Sequence, residues 1–165
     1  TIFVMQLAEK FYGDHTIVER VLGNIRGSSQ IFRETELLAR LESGQVDAVS
    51  GYKNEAVERN LPFLTLPEAI NLSSPEFSEY YGEAFYESGD AGIFYGSPIA
   101  FTISILREAH NTKGAIAFVS FILSEEGRQF MEKRGFGKAR VLVGGTESKV
   151  PSYLRKYIEG AFDER

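Results

Sequence analysis

Between Phe32 and Tyr52 the sequence switches its apolar period, and that switch limits what the chain can fold into. Arg33, Glu34, Thr35 and Glu36 precede Leu37, Leu38 and Leu41, the spacing of an amphipathic helix seated on a sheet. Gly44 follows Ser43 where a helix stop belongs, and Val46-Asp47-Ala48-Val49 reads as the next strand, ending at Gly51-Tyr52. A helix start and a strand end are thereby held one turn of chain apart. In an open α/β sheet those two ends face the ligand crevice. Free N–H groups at a helix start favour an anion. The stretch therefore predicts an α/β chain that holds a small oxyanion.

The totals set the terms for such a site. A chain of 165 residues with 43% hydrophobic and 25% charged residues can build a respectable core. Its formal charge of −5 argues against a nucleic-acid partner, which would call for a basic face. An anion site must then be a local device rather than a global field. With no cysteine there is neither a disulfide nor a thiolate metal site. No apolar run approaches the roughly 18 residues of a membrane span, and no signal-peptide pattern is present. The chain opens inside a helical pattern, Ile2 to Tyr12, introduced only by Thr1. Thr1 could be its N-cap, but the preferred reading is a fragment whose helix is oriented by residues before it.

Taken in order, that first helix stops at Gly13, and a second spans Thr16 to Leu22, capped by Asp14 or Thr16 and stopped by Gly23-Asn24. Residues 25–31 form a Gly/Ser connector. One or two helical turns follow over 54–59. Leu61 to Leu66 reads as a strand with Pro62 near its beginning, and Pro67 and Pro75 bracket a loop. A short helical turn is expected over 76–81. Ala84-Phe85-Tyr86 and Ile93-Phe94-Tyr95 flank a hairpin turn at 88–92. Pro98 to Leu106 carries the strongest strand pattern, and Thr112 to Arg134 the longest helix, apolar on nearly every side. Such a helix needs cover all round. A loose 141–145 segment and a last helix over 151–162 close the chain. Helices and strands alternate up to Leu66, which favours βα units and a parallel sheet.

Catalysis finds little support. His15 and His110 lie in polar loops without a spaced partner for metal or triad chemistry, and both read as surface residues. The glycine-rich spots match neither the dinucleotide nor the P-loop fingerprint, and no nucleophile elbow occurs. Glu34 has two readings. It either complements the helix dipole, for about 0.3–1 kcal/mol, or it lies inside an oxyanion pocket. A carboxylate there repels an anion by about 4 kcal/mol at about 4 Å and an effective dielectric near 20. The second reading works only if the carboxylate is protonated or bonds the electropositive central atom. Sulfur and phosphorus do not expand that way; molybdenum and tungsten do. Tyr52 divides likewise between rim packing and a hydroxyl that donates to an oxyanion oxygen. Thr35 is a further polar candidate in the same first turn.

These residues resemble the archaeal-type molybdate/tungstate-binding proteins, the extracytoplasmic receptors of ABC importers. The likeness runs through Gln6-Leu7-Ala8-Glu9-Lys10-Phe11-Tyr12-Gly13, Arg33-Glu34-Thr35-Glu36-Leu37-Leu38 and Leu41-Glu42-Ser43-Gly44-Gln45-Val46-Asp47. It continues through Tyr52-Lys53, Leu66-Pro67-Glu68-Ala69-Ile70-Asn71-Leu72, Pro98-Ile99 and Phe121-Ile122-Leu123-Ser124-Glu125-Glu126-Gly127. Gly135-Phe136 and Ser148-Lys149-Val150-Pro151 complete it.

The resemblance implies a two-lobed type II periplasmic-binding fold, each lobe a mixed α/β sheet flanked by helices, closing on tungstate or molybdate without a cofactor. Residues 1–97 would be the second lobe, lacking its first strand. Residues 98–165 would be the hinge crossing and closing helices of the first lobe. Glu34 would reach the metal of the oxyanion, with Tyr52 and Thr35 beside it. The family's aspartate-bearing segment would lie just before Thr1 and its first-lobe serines earlier still. The implied partners are an ABC permease and its ATPase, with a monomeric receptor outside the cytoplasm and any membrane anchor outside these residues. Two alternatives stay open: an effector-sensing domain of a transcription regulator on the same fold, and a receptor for another anion such as sulfate or an organic carboxylate.

Overall fold

The structure is a computed structural model that describes residues 1–23, 32–138 and 140–162. The expected connector over 25–31 lies outside the described residues. The chain divides into two compact units, one of residues 1–52 and 63–100, the other of 53–62 and 101–165.

In the first unit, α1 (Ile2–Tyr12) ends on Gly13 as its apolar spacing predicts. Its Leu7 and Ala8 face a core shared with Ile70, Leu72, Tyr81 and Ala84. The second helix, α2 (Ile17–Leu22), starts under a cap from outside the helix. The Asp14 carboxylate accepts from the Thr16 amide at 3.0 Å and the Thr16 hydroxyl at 2.7 Å. Next, α3 (Glu34–Glu42) buries Leu38 and stops where the sequence says it should. Gly44 takes φ 72°, open to a residue without a Cβ. Its amide then bonds the Leu41 carbonyl and the Gln45 amide the Arg40 carbonyl, the two bonds of a Schellman stop. The prolines at 67 and 75 bracket more than a loop. A single helical turn, α5 (Glu68–Asn71), fits there because the Pro67 carbonyl accepts from Ile70 and Asn71 and Ile70 enters the core. The expected turn over 76–81 is a 3₁₀ turn (Pro75–Phe77) followed by α6 (Ser78–Tyr81). The hairpin forms as predicted, with β1 (Phe85–Glu87) antiparallel to β2 (Ile93–Tyr95) and Tyr86 opposite Phe94.

The second unit opens with α4 (Lys53–Glu58). The long helix expected over 112–134 is two helices, α7 (Thr112–Leu123) and α8 (Glu125–Lys133). Ser124 breaks it. Its backbone is extended, and its hydroxyl accepts from the Gly127 amide as an N-cap while donating to the Phe121 carbonyl. The expected final helix also fails beyond its first turn. Only α9 (Ser152–Arg155) is helical, while β4 (Gly160–Phe162) leaves to pair in parallel with β3 (Leu142–Gly144).

Three expected strands make no ladder among the described residues: 46–49, 61–66 and 98–106. Nor is there the parallel sheet favoured for the first 66 residues; the described strands form two small two-stranded sheets. The reason is elementary. A strand pattern supplies the pleat but not the neighbour that must take its N–H and C=O groups. The Ile99 amide goes instead to the Leu72 carbonyl at 2.7 Å. Apolar side chains on these segments stay exposed, Leu64 at 96% and Phe101 at 66%. On α7, likewise, Phe118 and Phe121 are exposed and only Val119 is buried.

Candidate functional site

At the start of α3 the sequence places an arginine in the N-cap position. Arg33 has extended backbone (φ −67°, ψ 146°) and makes no side-chain cap. It has no means to make one, because a guanidinium carries donors and no acceptor. Helices normally satisfy their first amides with a Ser, Thr, Asp or Asn oxygen at this position. Here the N-cap contributes a cation instead, so the charge and the helix dipole at this end both favour an anion. Glu34 is the first helical residue and Thr35, exposed, the second.

Glu36 in this turn is paired within the helix. Glu36 accepts from Arg40 Nε at 3.1 Å and Nη2 at 2.8 Å, an ion pair one helical turn on. The Arg40 guanidinium also lies 4.3 Å from the centre of the Phe32 ring. Arg40 is thereby held along the helix flank.

Tyr52 is 41% exposed and directly precedes Lys53, the first residue of α4. The segment leading to it is tied down by a residue that sequence reasoning passed over. Ser50 Oγ lies 2.6 Å from Thr1 Oγ1, across 49 positions of chain. Thr1 is the N-cap of α1 by position, yet its hydroxyl makes no cap and turns to Ser50. The start of α1 therefore lies against the segment that carries Tyr52. Only the position of Ser50, two residues before Tyr52, could have signalled this. Gln6, one turn and more along α1, fixes the helix in the same unit. Its amide nitrogen donates to the Phe85 carbonyl at 2.9 Å and its oxygen accepts from the Phe85 amide at 3.0 Å.

His15 and His110 are both exposed, as the sequence predicts. Among the described residues, no cluster of three His, Cys, Asp or Glu side chains is placed to hold a metal ion. A cleft of about 340 Å³ in the second unit is lined by Glu125, Arg128, Glu132, Lys138, Arg140 and Glu159. Its charges answer one another: Arg128 lies 2.8 Å from Glu159 and 3.6 Å from Glu125. Three carboxylates against three cations leave no net attraction for an anion, and none of the residues singled out from the sequence lines it.

Residues 3–137 match the family described as bacterial extracellular solute-binding protein. A solute-binding protein of Petrotoga mobilis is 31% identical over 98% of this chain and 52% of its own length. The molybdate/tungstate-binding protein WtpA of Thermococcus kodakarensis is 32% identical over 96% of this chain and 50% of its own. WtpA of Pyrococcus abyssi is 29% identical over 81% and 44%. The chain thus spans about half the length of the curated relatives it matches.

Proposed function

This chain belongs to the bacterial extracellular solute-binding protein family, and from that premise we propose that it forms part of a receptor that captures tungstate or molybdate for import. The family is one of binding proteins rather than enzymes, and it is extracytoplasmic. Among the described residues no helix is long and apolar enough to cross a membrane.

The observation that carries the reading is the start of α3. A helix whose N-cap is an arginine presents amide donors and a cation to an anion, and its first residue is a glutamate. That glutamate is a liability for sulfate or phosphate and an asset for an oxyanion whose metal accepts further oxygen ligands. The WtpA relatives, molybdate/tungstate-binding by name, support the same ligand class. In this reading Glu34 reaches the metal, while Thr35 and Tyr52 donate to oxyanion oxygens.

Residues 1–97 belong to one lobe of a two-lobed α/β receptor, and residues 98–165 form its crossing and the closing helices of the other. Ligand closes the two lobes by its differential affinity for the closed state, and the closed monomer delivers its anion to an ABC permease driven by an ATPase. Isothermal titration of the complete gene product with tungstate, molybdate, sulfate and phosphate tests this. Tungstate and molybdate bind, sulfate and phosphate do not, and Glu34→Ala weakens tungstate by at least about tenfold, the worth of one charge-assisted contact. Unchanged tungstate affinity in Glu34→Ala would remove the coordination role. Equal affinity for sulfate would make this a general tetrahedral-anion receptor.

A further inference from the structure

We propose that the Ser50 hydroxyl, backed by Thr1, is a further donor to the bound oxyanion, a role that rests on Tyr52 being a ligand residue as argued above. Thr1, Ser50 and Tyr52 all lie in the first unit. Ser50 stands two residues before Tyr52, so covalent geometry alone keeps their Cα atoms within about 7 Å of each other. Its Oγ lies 2.6 Å from Thr1 Oγ1, and both side chains are exposed.

A count of donors decides the role. Tungstate and the Glu34 carboxylate bring only acceptors, so the protein has to supply the protons they share. Two hydroxyls in contact carry two protons, and the bond between them uses one. The other proton stays free, on whichever oxygen accepts. The pair therefore offers one outward O–H, strengthened by the bond that its oxygen accepts. Ser50 is that outward donor, because it shares the segment of Tyr52. Thr1 is held instead at the start of α1, where its carbonyl accepts from the Met5 amide at 3.1 Å. Thr1 Oγ1 thus donates to Ser50, and Ser50 donates to the ligand.

The test is calorimetric titration of the complete gene product with sodium tungstate, beside thermal melting of the same proteins without ligand. Ser50→Ala weakens tungstate by about tenfold, the loss of one donor to a charged ligand, while its ligand-free melting temperature stays native. Ser50→Thr keeps the hydroxyl and stays within about twofold. Thr1→Val weakens tungstate by about threefold as Ser50 loses its polarising partner. It costs nothing further when Ser50→Ala is already present, because Thr1 acts only through that hydroxyl. Native affinity in Ser50→Ala, or a loss matched by a fallen melting temperature, overturns the donor role. A larger loss in Thr1→Val than in Ser50→Ala reverses the order of the pair and overturns the assignment to Ser50. Native protein that takes up no tungstate removes the receptor reading and this role with it. Native binding that Tyr52→Phe weakens and Ser50→Ala does not removes this role alone.

Discussion

The smallest structural decisions in this chain are made by single polar groups, and two of them titrate in opposite directions. The Asp14 carboxyl is held below its ordinary value of 3.8, first by the Thr16 hydroxyl, then by the Thr16 amide, with Arg20 adding its charge. A depressed carboxylate stabilises the fold above its unfolded value and loses that contribution as pH falls through its folded one. A carbon-detected NMR titration should place the Asp14 midpoint below 3.8, and Thr16→Val should move it back toward that value. Tyr81 goes the other way. Its ring is wholly buried, its hydroxyl donates to the Glu68 carbonyl and accepts from the Ser74 amide at 3.3 Å, and burial raises its pKa above 10.0. Above that pH the unfolded tyrosine ionises while the folded one stays neutral, so stability falls as pH rises. Tyr81→Phe should cost about 1–3 kcal/mol at neutral pH through two abandoned partners and should remove this alkaline loss, as urea midpoints on either side of pH 10.0 will show.

At the level of helices and strands, the break in the long apolar helix is the most informative feature. Gly127 is where α8 meets the end of α7: a Cβ there would lie 1.9 Å from the Phe121 carbonyl oxygen and 2.8 Å from Ile122 Cα. Gly127→Ala should therefore destabilise by about 1–3 kcal/mol as the helices are forced apart, measured by thermal melting. Gly137→Ala, with nothing within 4 Å, should change stability by less than about 0.5 kcal/mol. What the sequence disclosed follows the same logic. Helices α1, α2, α3 and α4 and the β1–β2 hairpin were legible because each is specified by its own residues: apolar spacing, Asp14, Gly44, the turn at 88–92. Ser124 was legible as a polar residue but not as a break, because its cap depends on the close approach that Gly127 permits. The segments at 46–49, 61–66 and 98–106 carry strand patterns without strand partners, and no local pattern announces whether a neighbour exists. The same holds for the candidate site. Glu34, Thr35 and Tyr52 could be named from spacing and resemblance, whereas Ser50 is tied to Thr1 across 49 positions, beyond any local signal.

For the molecule as a whole, large apolar side chains stay exposed, and the match to relatives covers about half of their length. Leu64, Phe101, Leu106 and Phe118 lie open on segments whose sequence is that of an interior, and the chain spans about half of the receptors it resembles. In our reading both faces of the oxyanion site require the complete receptor, and its specificity rests on one chemical step: the Glu34 carboxylate adding to the coordination sphere of the metal. Tungsten L3-edge absorption of tungstate bound to the complete gene product measures that step directly. The account predicts an expanded, octahedral-like signature in the native protein and a return to the tetrahedral signature of free tungstate in Glu34→Ala. A tetrahedral signature in the native complex would contradict it.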